Sequence, residues 1–457
     1  MKIKIMKKFY LALLFLGMFV GFLSSCDDDD KFKPDAPELE IISKSGSFAV
    51  AKEDTLFLKA KMNNPQETKL SWTMNGQEVS TDSVYMFIAE EMGNYKIDVK
   101  ASNEGGETSA NVSVEVYGKY KYGTFVLNEG QYLKGDVGTL VFISPKGVVT
   151  DSVYYRENGG LLGFATQDLY IQNHKMYIVA QEGGNDGGYL TVLNAETMKK
   201  VCVYQNELDG QVTSPTHVVA LSDDEIYLRD GEGIKLFRPS TGDVTLISGS
   251  EGARKNRMAV VAGKIFAPLG SSVIVIESGE TQISGTITFD KTVSGVIRSF
   301  DGNLWVSDIS GKISKVDSRT NEIIDTGKVA DEAIENLGLG WGHATPNITA
   351  KGDTIYMTTT KNMDIYRYIF STGETQFMVN ADDLLDIKSS FPTTYNTAAV
   401  HPITGEVYMN ILESYSFDPG NHIAVFDFSD KNTPKLKMDY QGYTVCPAGI
   451  FFTYDFE

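Results

Sequence analysis

The segment DLYIQNHKMYIVA, residues 168–180, holds two short apolar runs joined by a tight polar turn, and in the second run an apolar residue directly precedes an aromatic one. The same phrase recurs along the chain, with its aromatic residue at Tyr177, Tyr227, Phe266, Trp305, Tyr356 and Tyr408. Successive aromatic residues are 39 to 52 positions apart. A recurring spacing of this size indicates a fold built from copies of one small unit.

Two further strand-like runs follow each copy, so one repeat predicts a four-stranded sheet, which is typical of a β-propeller blade. A seventh sheet is predicted from the two ends of the region, from GTFVLNEG, GTLVFISP, VVTDSVYY and the C-terminal AGIFFTYD. Pairing the ends in one sheet removes the edges of an open ring. We predict an all-β fold in which residues 118–457 form a seven-bladed β-propeller closed by the C-terminal strand. Two sandwiches, the alternative, would not produce six copies of one phrase.

Residues 37–117 consist of successive strand-like runs with a different pattern. Asn75 and Gly76 between two of these runs are a strong signal for a hairpin turn. Trp72 stands where an immunoglobulin-like sandwich carries its core tryptophan. We therefore predict an N-terminal immunoglobulin-like β-sandwich that acts as a spacer, with ligand recognition as the alternative role.

The N-terminus has the features of a lipoprotein signal peptide. Residues 1–25 combine lysines with an apolar run that is too short for a membrane span. The Leu-Ser-Ser-Cys sequence ending at Cys26 resembles the bacterial lipobox, which implies an acylated Cys26 anchored in outer-membrane lipid. Residues 26–36 form an acidic tether similar to the surface-export signal of Bacteroidota lipoproteins, and this predicts a protein facing the extracellular side. An ordinary signal peptide followed by a free cysteine is the alternative.

Composition excludes some partners. The chain has 60 acidic and 41 basic residues and a formal net charge of −19, which argues against nucleic acid as a ligand. The same charge argues against peripheral adhesion to an anionic membrane. Cys202 and Cys446 are too few for a disulfide scaffold, and their pairing is left open.

Motifs for catalysis are missing from the sequence. Neither a His-Glu-x-x-His zinc motif nor a Gly-x-Ser-x-Gly elbow occurs. His174 and His401 fall in short turns and are predicted to be solvated. His217, His343 and His422 fall near the opposite end of the sheets, where separate hydrogen bonds are favoured over a shared metal. We predict no enzyme, no catalytic or metal-ligating residue and no cofactor.

Candidate ligand-binding residues come from the longer loops, because loops fixed by a rigid scaffold commonly carry function. Aromatic and cationic side chains in these loops suit a large, partly flat ligand with a hydrogen-bonding rim. The predicted ligand-binding residues are Tyr132, Arg156, Arg254, Arg257, Trp341, His343, Tyr395, Tyr415 and Phe417.

A family resemblance starts at YGTFVLNEGQYLKGDVGTLVFISPKGVVT, residues 122–150, and continues through DLYIQNHKMYIVAQEGG. These segments resemble the seven-bladed surface-lipoprotein propellers of gut Bacteroidota, labelled surface layer or quinoprotein-like proteins. Some members, the BtuG family, sit on the cobalamin outer-membrane transporter and capture corrinoids. The resemblance covers residues 119–457 and implies that the chain binds cobalamin or another corrinoid and delivers it to a TonB-dependent transporter. The N-terminal domain departs from the minimal architecture of those proteins.

Two other functions fit the same sequence. A propeller can bind glycans, or act on glycans or lactones if loop carboxylates such as Glu129, Asp186, Asp308 and Glu413 converge. It can also serve as a protein-docking module, with the sandwich and the ring as contact surfaces.

Overall fold

The computed structural model describes residues 34–130, 137–340, 344–415, 420–430 and 432–456. Strands make up most of the regular structure in these residues, which confirms the all-β prediction. The chain divides into two compact units, one including Phe57–Phe87 and Tyr95–Val114 and the other including everything from Glu115 onward. Each unit is a small number of sheets joined by short connections.

Helical structure is brief in the described residues. It comprises the α-helix α1 (Val153–Asn158) and the 3-10 segments Pro65–Glu67, Asp331–Leu337, Ala381–Asp383 and Thr453–Phe456. In the part of the chain that the structure describes, no helix has the length and apolar character needed to cross a membrane.

The N-terminal strands are β1 (Leu39–Ser43), β2 (Ala49–Ala51), β3 (Thr55–Met62), β4 (Lys69–Met74), β5 (Gln77–Ser80), β6 (Val84–Ile88), β7 (Gly93–Asn103) and β8 (Gly106–Tyr117). They form two sheets with the orders β1-β3-β6 and β2-β8-β7-β4-β5. In β3 the alternation of apolar and polar residues buries Leu56, Leu58 and Ala60 on one face. Trp72 is fully buried, as predicted, and its Nε1 donates to the Asp82 carbonyl at 2.8 Å.

The strands that follow β8 are β9 (Thr124–Asn128), β10 (Thr139–Ile143) and β11 (Val149–Thr150). Six sheets, numbered I to VI, follow in chain order within the described residues. Sheet I holds β12 (Phe164–Gln172), β13 (Lys175–Gly183), β14 (Leu190–Asn194) and β15 (Lys200–Tyr204). Sheet II holds β16 (His217–Ser222), β17 (Glu225–Arg229), β18 (Ile234–Arg238) and β19 (Asp243–Leu246).

The next sheets repeat this antiparallel order. Sheet III holds β20 (Ala259–Val261), β21 (Lys264–Leu269), β22 (Ser272–Glu277) and β23 (Gly285–Thr288). Sheet IV holds β24 (Val293–Arg298), β25 (Leu304–Asp308), β26 (Lys312–Val316) and β27 (Ile323–Lys328). Sheet V holds β28 (Ile348–Lys351), β29 (Thr354–Met357), β30 (Asp364–Ile369) and β31 (Glu374–Asn380). Sheet VI holds β32 (Thr393–Thr394), β33 (Ala399–Val400), β34 (Val407–Leu412), β35 (His422–Asp427) and β36 (Lys435–Gln441).

The last strand, β37 (Pro447–Phe452), returns to the first strands of the unit. It pairs antiparallel with β9, with Ile450 opposite Val126 and Phe452 opposite Thr124. Together with β10 and β11 these two strands form sheet VII, in the order β11-β10-β9-β37. All six residues of β37 are buried.

The aromatic residues of the repeated phrase occupy equivalent places. Each lies in the strand that follows the first hairpin turn of its sheet: Tyr177, Tyr227, Phe266, Trp305, Tyr356 and Tyr408. All six side chains are buried. The repeat therefore reflects one packing position that is used again in each of sheets I to VI.

Clusters of buried apolar side chains lie between consecutive sheets. One cluster joins Val179 of sheet I to Val218 and Phe237 of sheet II, and clusters of the same kind connect each later pair of sheets. Another joins sheet VI to sheet VII. A further cluster joins Phe142 of sheet VII to Leu169 of sheet I. Sheets I to VII are thus each packed against two neighbours.

Strand direction separates the connections into two groups. Because consecutive strands are antiparallel, the second-to-third connections and the segments that lead into each first strand lie at one end of the sheets. We call this the loop end.

Candidate functional site

A group of polar side chains collects at the loop end of four sheets. We call it the recess and define it by Glu129, Gln167, Lys255, Asn256 and Tyr395. Glu129 directly follows β9, Gln167 lies in β12, Lys255 and Asn256 precede β20, and Tyr395 follows β32. The register of β12 shifts near Gln167, which marks a β-bulge, and a bulge re-aims side chains away from strict alternation.

Glu129 is the centre of the recess. The Tyr395 hydroxyl donates to Glu129 Oε2 at 3.1 Å, and the Gln167 side chain also hydrogen bonds to this carboxylate. Burial disfavours the charged form and raises the pKa of Glu129, although Lys255 and the two hydrogen bonds act in the opposite direction. Burial and the neighbouring Glu129 carboxylate also raise the pKa of Tyr395.

Two buried amide oxygens in the recess have no hydrogen-bond partner among the described residues. They are Gln167 Oε1 and Asn256 Oδ1, on side chains that are 3% and 0% exposed. The other end of the Asn256 amide is satisfied, because Nδ2 donates to the Thr345 carbonyl at 3.1 Å. Leaving a buried polar atom unpaired costs about 1–3 kcal/mol, so such atoms indicate a position for a ligand or an ordered water.

Arg257 lies beside the recess and connects three sheets. Its Nε donates to Asp168 Oδ1 of sheet I at 3.2 Å, and its guanidinium lies 3.8 Å from the centre of the Phe451 ring in sheet VII. Gly449 allows this approach, since a Cβ there would come within 1.8 Å of Arg257 Nη2. Burial raises the pKa of Asp168 to about 7, while Arg257 opposes the shift. Arg257 thus packs and pairs within the fold, while its Nη2 is buried without a hydrogen-bond partner among the described residues, and its ligand-binding role stays a prediction.

His217 is a neutral, buried side chain. Its ring is 1% exposed, and Nε2 lies 2.8 Å from the Ala344 carbonyl. A carbonyl can only accept, so Nε2 carries the proton. Desolvation lowers the pKa of His217 well below its ordinary value, and the nearby Lys255, Arg229 and Arg257 lower it further. These three cationic side chains therefore lie near His217.

The structure places the other predicted ligand-binding residues differently. Arg254 is half-buried, donates from Nη1 to the Val293 carbonyl at 2.9 Å, and has its pKa lowered to about 10 by burial. Tyr415 is 49% exposed and lies close enough to Tyr395 to affect its pKa. Arg156 is exposed on α1 and donates to the Asp151 carbonyl, outside the recess.

Several predictions fall outside the described residues. They concern Cys26, Tyr132, Trp341, His343 and Phe417. Their ligand-binding or lipidation roles stay predictions.

Sequence reasoning missed most of the recess. Gln167, Lys255 and Asn256 were not predicted, and Glu129 was considered only for an enzyme. Lys255 and Asn256 could have been found from the segment SEGARKNRM, residues 250–258. They lie in the same charged loop as Arg254 and Arg257, which were predicted. Phe391, 89% exposed just before β32, was also missed.

The four loop carboxylates considered for catalysis are spread over four sheets. Asp186 accepts from the Leu161 amide at 3.1 Å, and Asp308 accepts from the Ser310 amide at 2.8 Å. Glu413 lies 3.2 Å from Nε2 of His422. Asp186, Asp308 and Glu413 each contact groups close to their own position, and they do not converge with Glu129.

The prediction that His174 and His401 are solvated has a different outcome for each residue. His174 is exposed in its turn, with Glu196 3.4 Å from its Nδ1. The prediction of a solvated His401 is wrong: it is 8% exposed, and its ring centre lies 4.9 Å from that of Phe452. The described residues contain no group of three or more His, Cys, Asp or Glu side chains arranged to hold a metal ion. No disulfide joins Cys202 to Cys446.

Two models of known protein families match parts of the chain. Residues 122–453 match the family model described as domain of unknown function (DUF5074). The chain belongs to this family. Residues 36–103 match a PKD-like domain, which supports the immunoglobulin-like character of the N-terminal region. No curated protein is significantly similar to the chain.

Solved structures show the fold of this DUF5074 member. A quinoprotein alcohol dehydrogenase-like protein from Bacteroides thetaiotaomicron VPI-5482 is similar, with a TM-score of 0.54 and 16% identity over 93% of this chain and 98% of that chain. The Pan2 WD40 domain of Neurospora crassa has a TM-score of 0.39 and 10% identity over 59% of this chain and 78% of that domain. At this identity the first likeness shows the fold alone, which is propeller-like.

Proposed function

We propose that residues 118–457 form a seven-bladed propeller closed by β37. Sheets I to VII support this proposal, as does the pairing of β37 with β9. The series of apolar clusters, which returns from sheet VII to sheet I, supports it as well. A closed ring fixes the ends of its loops before a ligand arrives, and such preorganisation favours binding.

We infer that this ring is a ligand-binding module without catalytic activity, and that the ligand occupies the recess. The observation that carries this inference is the pair of buried, unpartnered amide oxygens, Gln167 Oε1 and Asn256 Oδ1. Gln167 also hydrogen bonds to the Glu129 carboxylate, which has Tyr395 and Lys255 as neighbours, and Asn256 directly follows Lys255 in the chain. A ligand rich in carboxamide groups would supply the N–H donors that these oxygens lack, and its carbonyl oxygens would accept from Lys255.

A corrinoid is the ligand that we propose, because its ring carries several carboxamide side chains and the family resemblance points to the same class. Two exposed aromatic side chains suit the flat face of such a large ligand: Tyr415, which is close to Tyr395, and Phe391, four positions before Tyr395 in the chain. Glycan binding is the alternative for the same module.

Titration calorimetry of the full-length chain in detergent with cyanocobalamin tests the proposal. We expect saturable binding that weakens about tenfold or more in Gln167→Ala, since that change removes one buried hydrogen-bonding group. Gln282→Ala, at an exposed glutamine in sheet III's last connection, is the control and should bind as the wild type does. Absence of heat with cyanocobalamin, or equal affinity of the two variants, would reject a corrinoid in the recess.

We also propose that the chain is an outer-membrane lipoprotein held by acylated Cys26, facing outward and passing its ligand to a TonB-dependent transporter. The sequence of residues 1–36 supports the anchor, and the resemblance supports the partner. Labelling with radioactive palmitate, lost in Cys26→Ala, checks the anchor. Co-purification with a transporter barrel checks the partner.

A further inference from the structure

A cavity of about 260 Å³ lies at the loop end of sheet VII, next to α1. Its walls come from residues 137–140 at the start of β10, from Ser152, Tyr154 and Tyr155 at α1, and from residues 160–162 before β12. None of these residues belongs to the recess. The cavity is therefore a second place where a molecule could be held.

The walls of this cavity are largely apolar. Leu140 and Leu162 are buried, whereas Leu161 and Tyr155 are exposed and mark its open side. A cavity of about 150 Å³ with an apolar lining is large enough to bind benzene. The cavity beside α1 consequently has room for one aromatic ring with substituents.

Tyr154 adds a polar group to this apolar lining. Its side chain is 2% exposed, and its hydroxyl is buried without a hydrogen-bond partner among the described residues. A buried hydroxyl in this state is unfavourable, because it has lost its bonds to water. Burial, followed by the effect of the Asp186 carboxylate, raises the pKa of Tyr154 to about 12. The hydroxyl thus keeps its proton at neutral pH and is available as a donor.

The wall formed by residues 160–162 is held in place by the loop of sheet I. Asp186 Oδ2 accepts from the Leu161 amide at 3.1 Å, and a Cβ on Gly160 would lie only 2.8 Å from the same oxygen. Asn185 Nδ2 donates to the Leu162 carbonyl at 3.2 Å. These contacts fix the wall before a ligand enters, which favours binding. The negative charge of Asp186 beside the wall disfavours an anionic ligand.

We propose that this cavity binds a small, neutral aromatic molecule that carries a hydrogen-bond acceptor, such as a ketone oxygen. The ring of the molecule packs against Leu140, Leu161 and Leu162, and its acceptor receives the proton of the Tyr154 hydroxyl in a hydrogen bond. The proposal goes beyond ligand binding at the recess and does not depend on it.

The test uses the full-length chain in detergent and three probes, each titrated by ¹⁹F line broadening. They are para-fluoroacetophenone, para-fluoro-α-methylstyrene, in which a methylene group replaces the ketone oxygen, and the anion para-fluorobenzoate. We expect saturable binding of the ketone, binding of the styrene that is several-fold weaker, and no saturable binding of the benzoate.

Variants separate the hydroxyl from the apolar walls. Tyr154→Phe should weaken ketone binding about fivefold and leave styrene binding unchanged. Its melting temperature without a probe should equal or exceed that of the wild type, because an unpaired buried hydroxyl is removed. Leu161→Ala, at an exposed side chain, should weaken both neutral probes about threefold. Tyr366→Phe, at a buried tyrosine of sheet V, is the matched control and should bind as the wild type does.

Two results would overturn the aromatic site: no saturable binding of the ketone by the wild type, or equal ketone affinity in the wild type and Tyr154→Phe. Uptake of the neutral probes by micelles is the same for every variant, so it does not affect these comparisons. Either result leaves the corrinoid proposal standing, because that proposal is tested separately with cyanocobalamin and Gln167→Ala.

Discussion

His422 is held between two carboxylates and should be one of the larger single contributions to stability in sheet VI. Its side chain is 0% exposed, with Nε2 at 3.2 Å from Glu413 and Nδ1 at 3.0 Å from Asp439. Carboxylates only accept, so both ring nitrogens must donate and the ring is an imidazolium. Removing one partner of a buried charge pair costs about 3–5 kcal/mol. His422→Leu leaves two carboxylates facing each other and should lower stability by about this amount, or the unfolding midpoint by roughly 4–7 °C for a unit of about 340 residues.

The pH dependence gives a second, independent check on the same histidine. Burial alone would lower the pKa of His422, but the two carboxylates outweigh it and raise that pKa above its ordinary value of 6.5. A raised pKa means that the stabilisation is fully present below about pH 6.5 and is lost as the pH rises through the higher folded-state pKa. The difference in melting temperature between wild type and His422→Leu should therefore shrink from pH 6 to alkaline pH.

Thermal unfolding by circular dichroism measures both effects. His174→Leu is the matched control, because His174 also faces a carboxylate, at 3.4 Å from Glu196, but its side chain is 80% exposed. We expect a change of no more than about 0.5 kcal/mol in that control. Equal melting temperatures for His422→Leu and the wild type, or a difference that grows with pH, would show that His422 is not a stabilising imidazolium.

Two further predictions concern the closing strand. Gly449→Ala should destabilise the chain by about 1–3 kcal/mol, because the new methyl group would displace Arg257; Gly285→Ala, whose Cβ meets its nearest atom at 3.5 Å, should be nearly neutral in the same denaturant titration. A chain that ends at Cys446 lacks β37 and exposes the edge of β9. It also loses the burial of Ile450, Phe451 and Phe452, each of which contributes about 1.5–3 kcal/mol to the free energy of unfolding. Size-exclusion chromatography should show aggregation of that chain, whereas a stable monomer with cooperative melting would contradict the closed ring.

The sheets could be predicted because the determining pattern is local. Each hairpin is formed by one continuous segment of the sequence. The aromatic residue that is buried in its core, such as Tyr177 or Trp305, belongs to the same segment. The role of Trp72 could be inferred in the same way. The long-range pairing of β37 with β9 was predicted from a different argument, the instability of open sheet edges, and needed no knowledge of contacts.

The recess could not be predicted because its members meet only after the sheets have assembled. Tyr395 and Glu129 are 266 positions apart in the chain, and Arg257 and Asp168 are 89 apart. The bulge in β12, which alters the alternation around Gln167, has no clear signal in the sequence. His401 was misjudged for the same reason: its turn looked solvated, but Phe452 from the closing strand covers its ring.

Arg257 borders the recess and also contacts β37, the strand that pairs with β9. This contact links the proposed ligand site to the proposed closure of the ring. Arg257 enters from sheet III, bonds Asp168 in sheet I and packs on Phe451 in sheet VII. Two positions before it, Lys255 faces Glu129, which follows β9 in the same sheet VII. A break between β37 and β9 would therefore displace Arg257 and Glu129 together, and Lys255 would lose its surroundings. Under the proposed function, ligand binding at the recess would therefore depend on the pairing of β37 with β9.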